Sequence, residues 1–264
     1  MPVGAPCSQQ SLLELAKLMS MSNQARVALI TGGAKRVGRA IVEKLAADGF
    51  DIAFTYRSSR EEAEQLVAQL TASATRAVAI SVDLTDALTA SEKITAAIRS
   101  TFGRLDVLVN NASLYEPSDL QSTNLAQLRK FNAIHVETPL LLCQRLDELL
   151  RANNGHIINM VDLLAERPWP KYMAYCTTKA ALWNLTLSLA RELAPQVTVN
   201  GIAPGVVDWP DNFPQADRDD YLKRVPLARA GTPDDVAEVV RFLVTKGTYI
   251  TGQIIRLDGG RSIV

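Results

Sequence analysis

The chain has 264 residues, of which 47% are apolar and 21% charged, and its 28 basic side chains are matched by 28 acidic ones. That length suits one large α/β domain with a single core. Zero net charge argues against a nucleic-acid-binding surface, and no stretch approaches the ~18 consecutive apolar residues of a membrane helix.

Residues 1–24 form an N-terminal extension, expected to be flexible or a short helix. Its apolar run is interrupted by Glu14 and Lys17, and it lacks the basic start of a signal peptide. Met21 stands just ahead of the structured pattern and is a second candidate start. The domain proper spans residues 25–264.

From Arg26 onward apolar runs alternate with helical periodicity. RVALIT is a strand, and KRVGRAIVEKLAADG a helix ending near Gly49. DIAFTY, AVAISVD, LDVLVNNAS, GHIINMV, VTVNGIAP and GQIIRLDGG are further strands. Between them lie REEAEQLVAQLTA, ASEKITAAIRSTFG and a long helical region from about Leu125 to Arg151. AYCTTKAALWNLTLSLARELA follows, with apolar residues on most faces, so it should be buried. TPDDVAEVVRFLVT opens on Thr232 as N-cap, with Pro233 at N1 and carboxylates in the first turn.

The strands are continuously apolar, which is the pattern of a parallel sheet covered on both faces. Right-handed crossovers then give a single doubly wound, Rossmann-type α/β domain whose ligand lies at the carboxyl ends of the strands. The segment VVDWPDNFPQADRDDYLKRVPL is the one long irregular insertion, and its position after a strand end suits a substrate lid.

The three cysteines, Cys7, Cys143 and Cys176, are far apart and not spaced as metal ligands. No metal site is expected, and the odd count favours a reducing, cytoplasmic setting. His135 and His156 read as structural.

The first strand runs into TGGAKRVG, Thr31 to Gly38. Small residues such as Gly32 let backbone approach a pyrophosphate, and the helix N-terminus behind them favours negative charge. Strand two ends in Tyr56, Arg57 and Ser58, where an NAD site carries an acidic residue. Arg57 can neutralise a 2′-phosphate and Ser58 can donate to it, so NADPH is the expected cofactor.

Tyr175 and Lys179 are i, i+4 on one helix face, roughly 5–6 Å apart at Cβ. An ammonium beside a phenol should lower the tyrosine pKa and ease proton delivery.

With the motifs TGGAKRVG, VDL, NNAS, YCTTK, VNGIAPG and ITGQIIRLDGG in this order, the chain from Arg26 to Val264 resembles the short-chain dehydrogenase/reductase family. The resemblance implies a Rossmann-type sheet, usually of seven strands, and usually a homotetramer. It implies Tyr175 as proton donor, with Lys179 holding the nicotinamide ribose and tuning the tyrosine. Asn132 falls where the family places an Asn that anchors a water near the lysine. Asp83 and Leu84 would hold the adenine. Asn111 and Ala112 would line the cofactor channel, with Val37 in the phosphate turn and Pro204 and Gly205 near the nicotinamide.

Two positions depart from most of the family. Arg36 replaces Gly, and Asp162 replaces the Ser thirteen residues before the tyrosine. Both resemble the pteridine reductase branch, as do Ser113 and Tyr115 after the Asn110–Asn111 pair. Bacterial dihydromonapterin reductases share the stretch Ile134–Pro139 and the ending Leu257–Arg261. After Pro204-Gly205 the usual Ser or Thr contact to cofactor phosphates is missing, and Val207 stands there.

The expected activity is reduction of a dihydropterin with NADPH. A C=N bond takes hydride on carbon and a proton on nitrogen, so no carbonyl oxygen has to be held. Asp162 would relay protons or contact the ring, Tyr115 would stack on it, and Arg36 and Ser113 would contact both cofactor and substrate. Trp209 or Trp169 would cover the site. The alternatives are a carbonyl reductase of the same fold and a non-catalytic dinucleotide sensor.

Overall fold

The computed structural model describes residues 24–209 and 213–264. The expected N-terminal extension lies almost entirely outside the described residues, as does Cys7.

Seven strands form one sheet: β1 (Val27–Ile30), β2 (Asp51–Tyr56), β3 (Ala77–Ser81), β4 (Val107–Asn110), β5 (His156–Met160), β6 (Thr198–Pro204) and β7 (Ile254–Leu257). Their spatial order is β3-β2-β1-β4-β5-β6-β7. Every pair is parallel. The direction of strand addition reverses between β1 and β4. Their carboxyl ends therefore leave a crevice, because the crossovers on either side depart to opposite faces.

The described residues form eight α-helices: α1 (Arg36–Ala47), α2 (Arg60–Ala72), α3 (Ala87–Thr101), α4 (Leu125–Asn132), α5 (Thr138–Ala152), α6 (Met173–Glu192), α7 (Gln215–Leu222) and α8 (Pro233–Thr245). One core layer is built from Ile41, Leu45, Leu66, Val240 and Leu243 against Ala28, Ile30 and Ile52. These residues place α1, α2 and α8 on one face. The other layer sets Ile94, Ile98, Leu142, Leu146 and Leu189 against Leu29, Leu108 and Ile157, placing α3, α5 and α6 opposite. The five inner strands are buried on both sides because their side chains alternate between these two layers, whereas the edge strands β3 and β7 are only partly covered.

The structure refines one element and corrects two. The expected helical region from about Leu125 to Arg151 runs without a break, but through a π-helical turn at Ala133–Glu137 that joins α4 to α5. A widened turn leaves the apolar spacing readable as one helix while shifting the side chains that follow it. The insertion after β6 is not wholly irregular, since it contains α7. The helix α6 is buried along one side only: Tyr175, Lys179, Leu182, Thr186 and Leu189 face inward, whereas Met173 and Leu187 are exposed. As expected, Thr232 caps α8, in a full capping box with Asp235.

The turn after β1 is held by close packing. The Asn111 side-chain amide donates to the carbonyls of Thr31 (2.9 Å) and Gly32 (3.1 Å). A Cβ on Gly38 would lie 2.1 Å from the Gly32 oxygen and 2.7 Å from the Asn111 amide nitrogen. Gly38→Ala should therefore force the turn open and destabilise the fold by ~1–3 kcal/mol, the usual range for overpacking. Thermal unfolding of the variant checks this, with an unchanged midpoint as the contrary result.

Candidate active site

A cavity of about 590 Å³ runs along the carboxyl ends of the strands. Of the residues singled out from the sequence, all but Asn132 line it. Gly32, Arg36, Val37, Tyr56, Arg57, Ser58, Asp83 and Leu84 line one half. Asn111, Ala112, Ser113, Tyr115, Asp162, Tyr175, Lys179, Pro204, Gly205 and Trp209 line the rest.

The cofactor half is shaped by glycine. Gly32 has φ +67, and a Cβ there would sit 3.1 Å from the Ala112 Cα. Gly33 packs so closely on Phe54 that a Cβ would come within 2.5 Å of it. Gly33 thus seats the turn on the core, and backbone at Gly32 lines the cavity without a side chain in the way of a dinucleotide phosphate. Arg57 and Ser58 are exposed just after β2. Asp83 follows β3, and its carboxyl is held below the usual range by the Thr85 N–H at 2.9 Å, against partial burial. These residues fit an adenine nucleotide carrying a 2′-phosphate: the groove offers a glycine cradle, a cation and a carboxylate.

Arg36 sits at φ +52, a region glycine occupies freely and a bulky residue rarely. Its guanidinium is committed to the loop after β6. Nε donates to the Asp208 carboxylate, and Nη2 donates to the Trp209 carbonyl at 3.2 Å. The pairing with Asp208, across 172 positions of sequence, has no signature in the turn motif.

The reacting end is built from two short spans. Strand β5 ends at Met160, two residues before Asp162, and α6 carries Tyr175 and Lys179 one turn apart. The Tyr175 hydroxyl donates to Asp162 Oδ2 at 2.6 Å. The other carboxylate oxygen accepts the Leu164 N–H at 2.8 Å, so Asp162 also caps a short 3₁₀ turn. The turn-capping and active-site readings of Asp162 thus describe the same side chain. The Lys179 ammonium donates to the Met160 carbonyl at 2.7 Å and lies 5.7 Å from the Tyr175 ring centroid.

The electrostatics reverse one expectation. Burial, followed by the Asp162 charge, raises the Tyr175 phenol well above its ordinary value against a hydrogen bond with Ser113, so the net shift is opposite to the one expected from Lys179. Burial likewise raises the Asp162 carboxyl, against the Leu164 N–H, Tyr175 and Lys179. Burial pushes the Lys179 ammonium down to about 8, with Asp162 opposing. The three groups share one water-poor space and titrate as a set.

The side chain of Asn132 does not reach this set. Its amide donates to Glu137 Oε1 at 2.8 Å, across the π-helical turn. Tyr115 stacks on Tyr172 with centroids 4.5 Å apart and planes 12° from parallel, and meets Tyr175 edge-on at 4.9 Å. One face of Tyr115 is therefore already covered. Trp209 and Trp169 both pack edge-on against Tyr221, at 5.6 and 6.1 Å, so the two tryptophans share one aromatic wall. Val207 lines the cavity but offers no side-chain hydrogen bond.

Sequence reasoning took His135 as structural and passed over Thr178 and Tyr221. His135 is 1% exposed and lies behind Ser113, with its ring edge-on to Tyr175 at 5.5 Å. Its placement depends on the π-helical turn, which apolar periodicity does not reveal. Among the described residues no cluster of three or more potential metal ligands occurs, and no helix is long and apolar enough to cross a membrane.

Known proteins share both the fold and the sequence. The model of a family described as enoyl-(acyl carrier protein) reductase matches residues 32–262. The 3-oxoacyl-[acyl-carrier-protein] reductase FabG of Staphylococcus aureus is 37% identical over 251 residues, covering 88% of this chain and 96% of that protein. Pteridine reductase 1 of Leishmania tarentolae is 34% identical over 286 residues, covering 93% and 99%. A blue fluorescent protein from a metagenomic library, crystallised with NADPH, superposes with TM-score 0.85 at 35% identity, covering 90% and 98%. A short-chain dehydrogenase from Burkholderia cenocepacia, crystallised with NADP, gives the same TM-score of 0.85 at 35% identity, covering 90% of this chain and 98% of that one. A switch-point crevice with a glycine-shaped turn, a Tyr–Lys pair on α6 and relatives along nearly the whole domain lead to one assignment: the chain belongs to the short-chain dehydrogenase/reductase family of oxidoreductases.

Proposed function

We propose that this reductase uses NADPH to reduce a dihydropterin to its tetrahydro form. The observation that carries the reading is the 2.6 Å bond from the Tyr175 hydroxyl to Asp162 Oδ2. In a carbonyl reductase the substrate oxygen gains negative charge as hydride arrives, and donors must face it. Here the Tyr175 proton is directed to a carboxylate, which when ionised only accepts and would repel a forming alkoxide. A C=N bond places different demands on the site. Hydride goes to ring carbon, the proton goes to ring nitrogen, and the amino and N–H groups of a pterin donate to a carboxylate. Asp162, raised by burial, can hold a proton and return it through Tyr175.

NADPH rather than NADH is supported by Arg57 and Ser58 at the end of β2, where no carboxylate stands to accept from a ribose hydroxyl. It is also the cofactor of the blue fluorescent protein. The chemistry needed from it is a hydride delivered to the cavity beside Tyr175.

Reduction of a 3-oxoacyl thioester is the second reading, supported by the 37% identity to the Staphylococcus aureus reductase. The margin over the Leishmania tarentolae pteridine reductase, 34% identical, is too small to rank substrates, whereas Asp162 bears directly on the reacting atom. A homotetramer in the cytoplasm remains the proposed setting. The exposed Leu187, Phe242, Tyr249 and Ile263 support self-association.

Turnover tests the substrate. NADPH oxidation is expected with dihydrobiopterin or dihydromonapterin, and consumption only with 3-oxoacyl thioesters or simple ketones would overturn the reading. Asp162→Ser should lower kcat/KM for the dihydropterin by ~10²-fold or more, the scale of lost general-acid assistance. Arg57→Ala should raise the KM for NADPH about 10- to 100-fold, as loss of a charge-assisted phosphate contact does, with little change for NADH.

The pH profile tests Lys179. Burial pushes its ammonium down to about 8, so the set loses a positive charge as pH rises through that value. Reductive kcat/KM should therefore fall as pH rises through about 8. In Lys179→Arg, which stays charged, the falling limb should move to higher pH at a lower overall rate. A limb that stays in place would assign the titration elsewhere.

A further inference from the structure

The cavity wall at Ser113 is backed by a chain of hydrogen bonds whose polarity can be worked out. The Leu114 N–H points at His135 Nε2 at 3.3 Å. A backbone N–H can only donate, so Nε2 holds a lone pair. The neutral ring then carries its proton on Nδ1, which donates to Thr178 Oγ1 at 2.8 Å. Thr178 passes its own proton on to the Tyr175 carbonyl, 3.0 Å away in the preceding turn of α6. Each link agrees with the others, and the opposite tautomer would leave the Leu114 N–H facing an N–H.

The Ser113 hydroxyl lies 2.9 Å from the same Nε2. Because that nitrogen accepts, Ser113 donates. Two other acceptors compete for that proton: the Leu114 carbonyl, 3.5 Å away and poorly placed, and the Tyr175 hydroxyl oxygen, whose own proton goes to Asp162 and which is a weaker base than a bare imidazole nitrogen. Once its proton faces His135, the serine has only lone pairs left for the cavity that it lines. The ring that imposes this is itself fixed. His135 is buried, stacks on Phe131 at 5.8 Å and meets the Tyr175 ring edge-on.

We propose that His135 is a positioning residue that keeps the Ser113 proton turned inward, so that Ser113 meets a bound ligand only as an acceptor and selects substrates offering an N–H or O–H donor there. The inference deepens the pterin reading and rests on it for the kind of ring. The polarity of Ser113 rests on the hydrogen-bond chain alone. Together with Asp162, Ser113 gives the reacting end two acceptors, which suits an amino-substituted nitrogen heterocycle and disfavours a bare carbonyl. A serine free to donate would serve either.

Two measurements test it. The first needs no substrate. The chain has two histidines, so ¹⁵N imidazole NMR of the whole protein, with a His156 variant to separate the signals, reads the tautomer directly. The expected result is a neutral His135 ring protonated at Nδ1 and bare at Nε2. A proton on Nε2 would overturn the proposal. The second is a double-mutant cycle on dihydrobiopterin. In His135→Asn the amide can still donate to Thr178 but cannot reach Ser113. His135→Asn and Ser113→Ala should each raise KM about tenfold, the value of one well-placed hydrogen bond, with kcat changed far less. The double variant should be no worse than either single one. Effects that multiply would mean that His135 acts only as packing. A wild-type protein that turns over no pterin would defeat the substrate reading while the NMR result still decides the polarity of Ser113.

Discussion

The reacting end of this protein depends on the hydrogen bond from the buried Lys179 ammonium to the Met160 carbonyl. It ties the first turns of α6 to the last residue of β5. Two fixed covalent spacings then meet: Asp162 lies two residues beyond Met160, and Tyr175 one turn before Lys179. The Tyr175–Asp162 contact is the product of that meeting. The tie is made where water is scarce, which strengthens it and also weakens the hold of Lys179 on its own proton. A charged amine this deep costs stability, and the fold keeps it with a carbonyl and a carboxylate as its compensation.

Sheet geometry makes the rest of the site possible. Asn110 and Asn159 are register partners on adjacent strands, and their side chains are bonded at 2.8 Å. The ends of β4 and β5 thereby stay level, and the segments after them, carrying Ser113 and Asp162, enter the cavity side by side. Asn111, the next residue, turns back to hold the glycine turn after β1. One short run of sequence thus braces both the cofactor half and the reacting half of the groove.

Much of this was legible in the chain itself, because it is written in local spacing. Continuous apolar runs separated by helical periods dictate a parallel sheet with covered faces. The i, i+4 interval sets Tyr175 against Lys179, and the glycines mark where backbone must come close. What escaped is what depends on distant partners or on irregular backbone. The pKa of Tyr175 follows from its burial, which an interval of four residues does not convey. Asn132 and His135 lie on either side of the junction with a π-helical turn, where one extra residue redirects side chains without disturbing the apolar pattern. Their partners, Glu137 for one and Ser113 and Thr178 for the other, could not be read from a regular helix.

Arg36 holds a further consequence. Its guanidinium joins the glycine turn to Asp208 and Trp209 in the loop after β6, so the two walls of the groove share one cation. A phosphate reaching that cation competes with the Asp208 carboxylate for the same N–H groups. Occupancy of the first turn and the position of the loop are then thermodynamically linked: whatever free energy the loop contributes by holding Arg36 is subtracted from the phosphate, and the reverse holds equally. A ligand phosphate at the first turn and the wall at Asp208 would thus depend on one and the same charge.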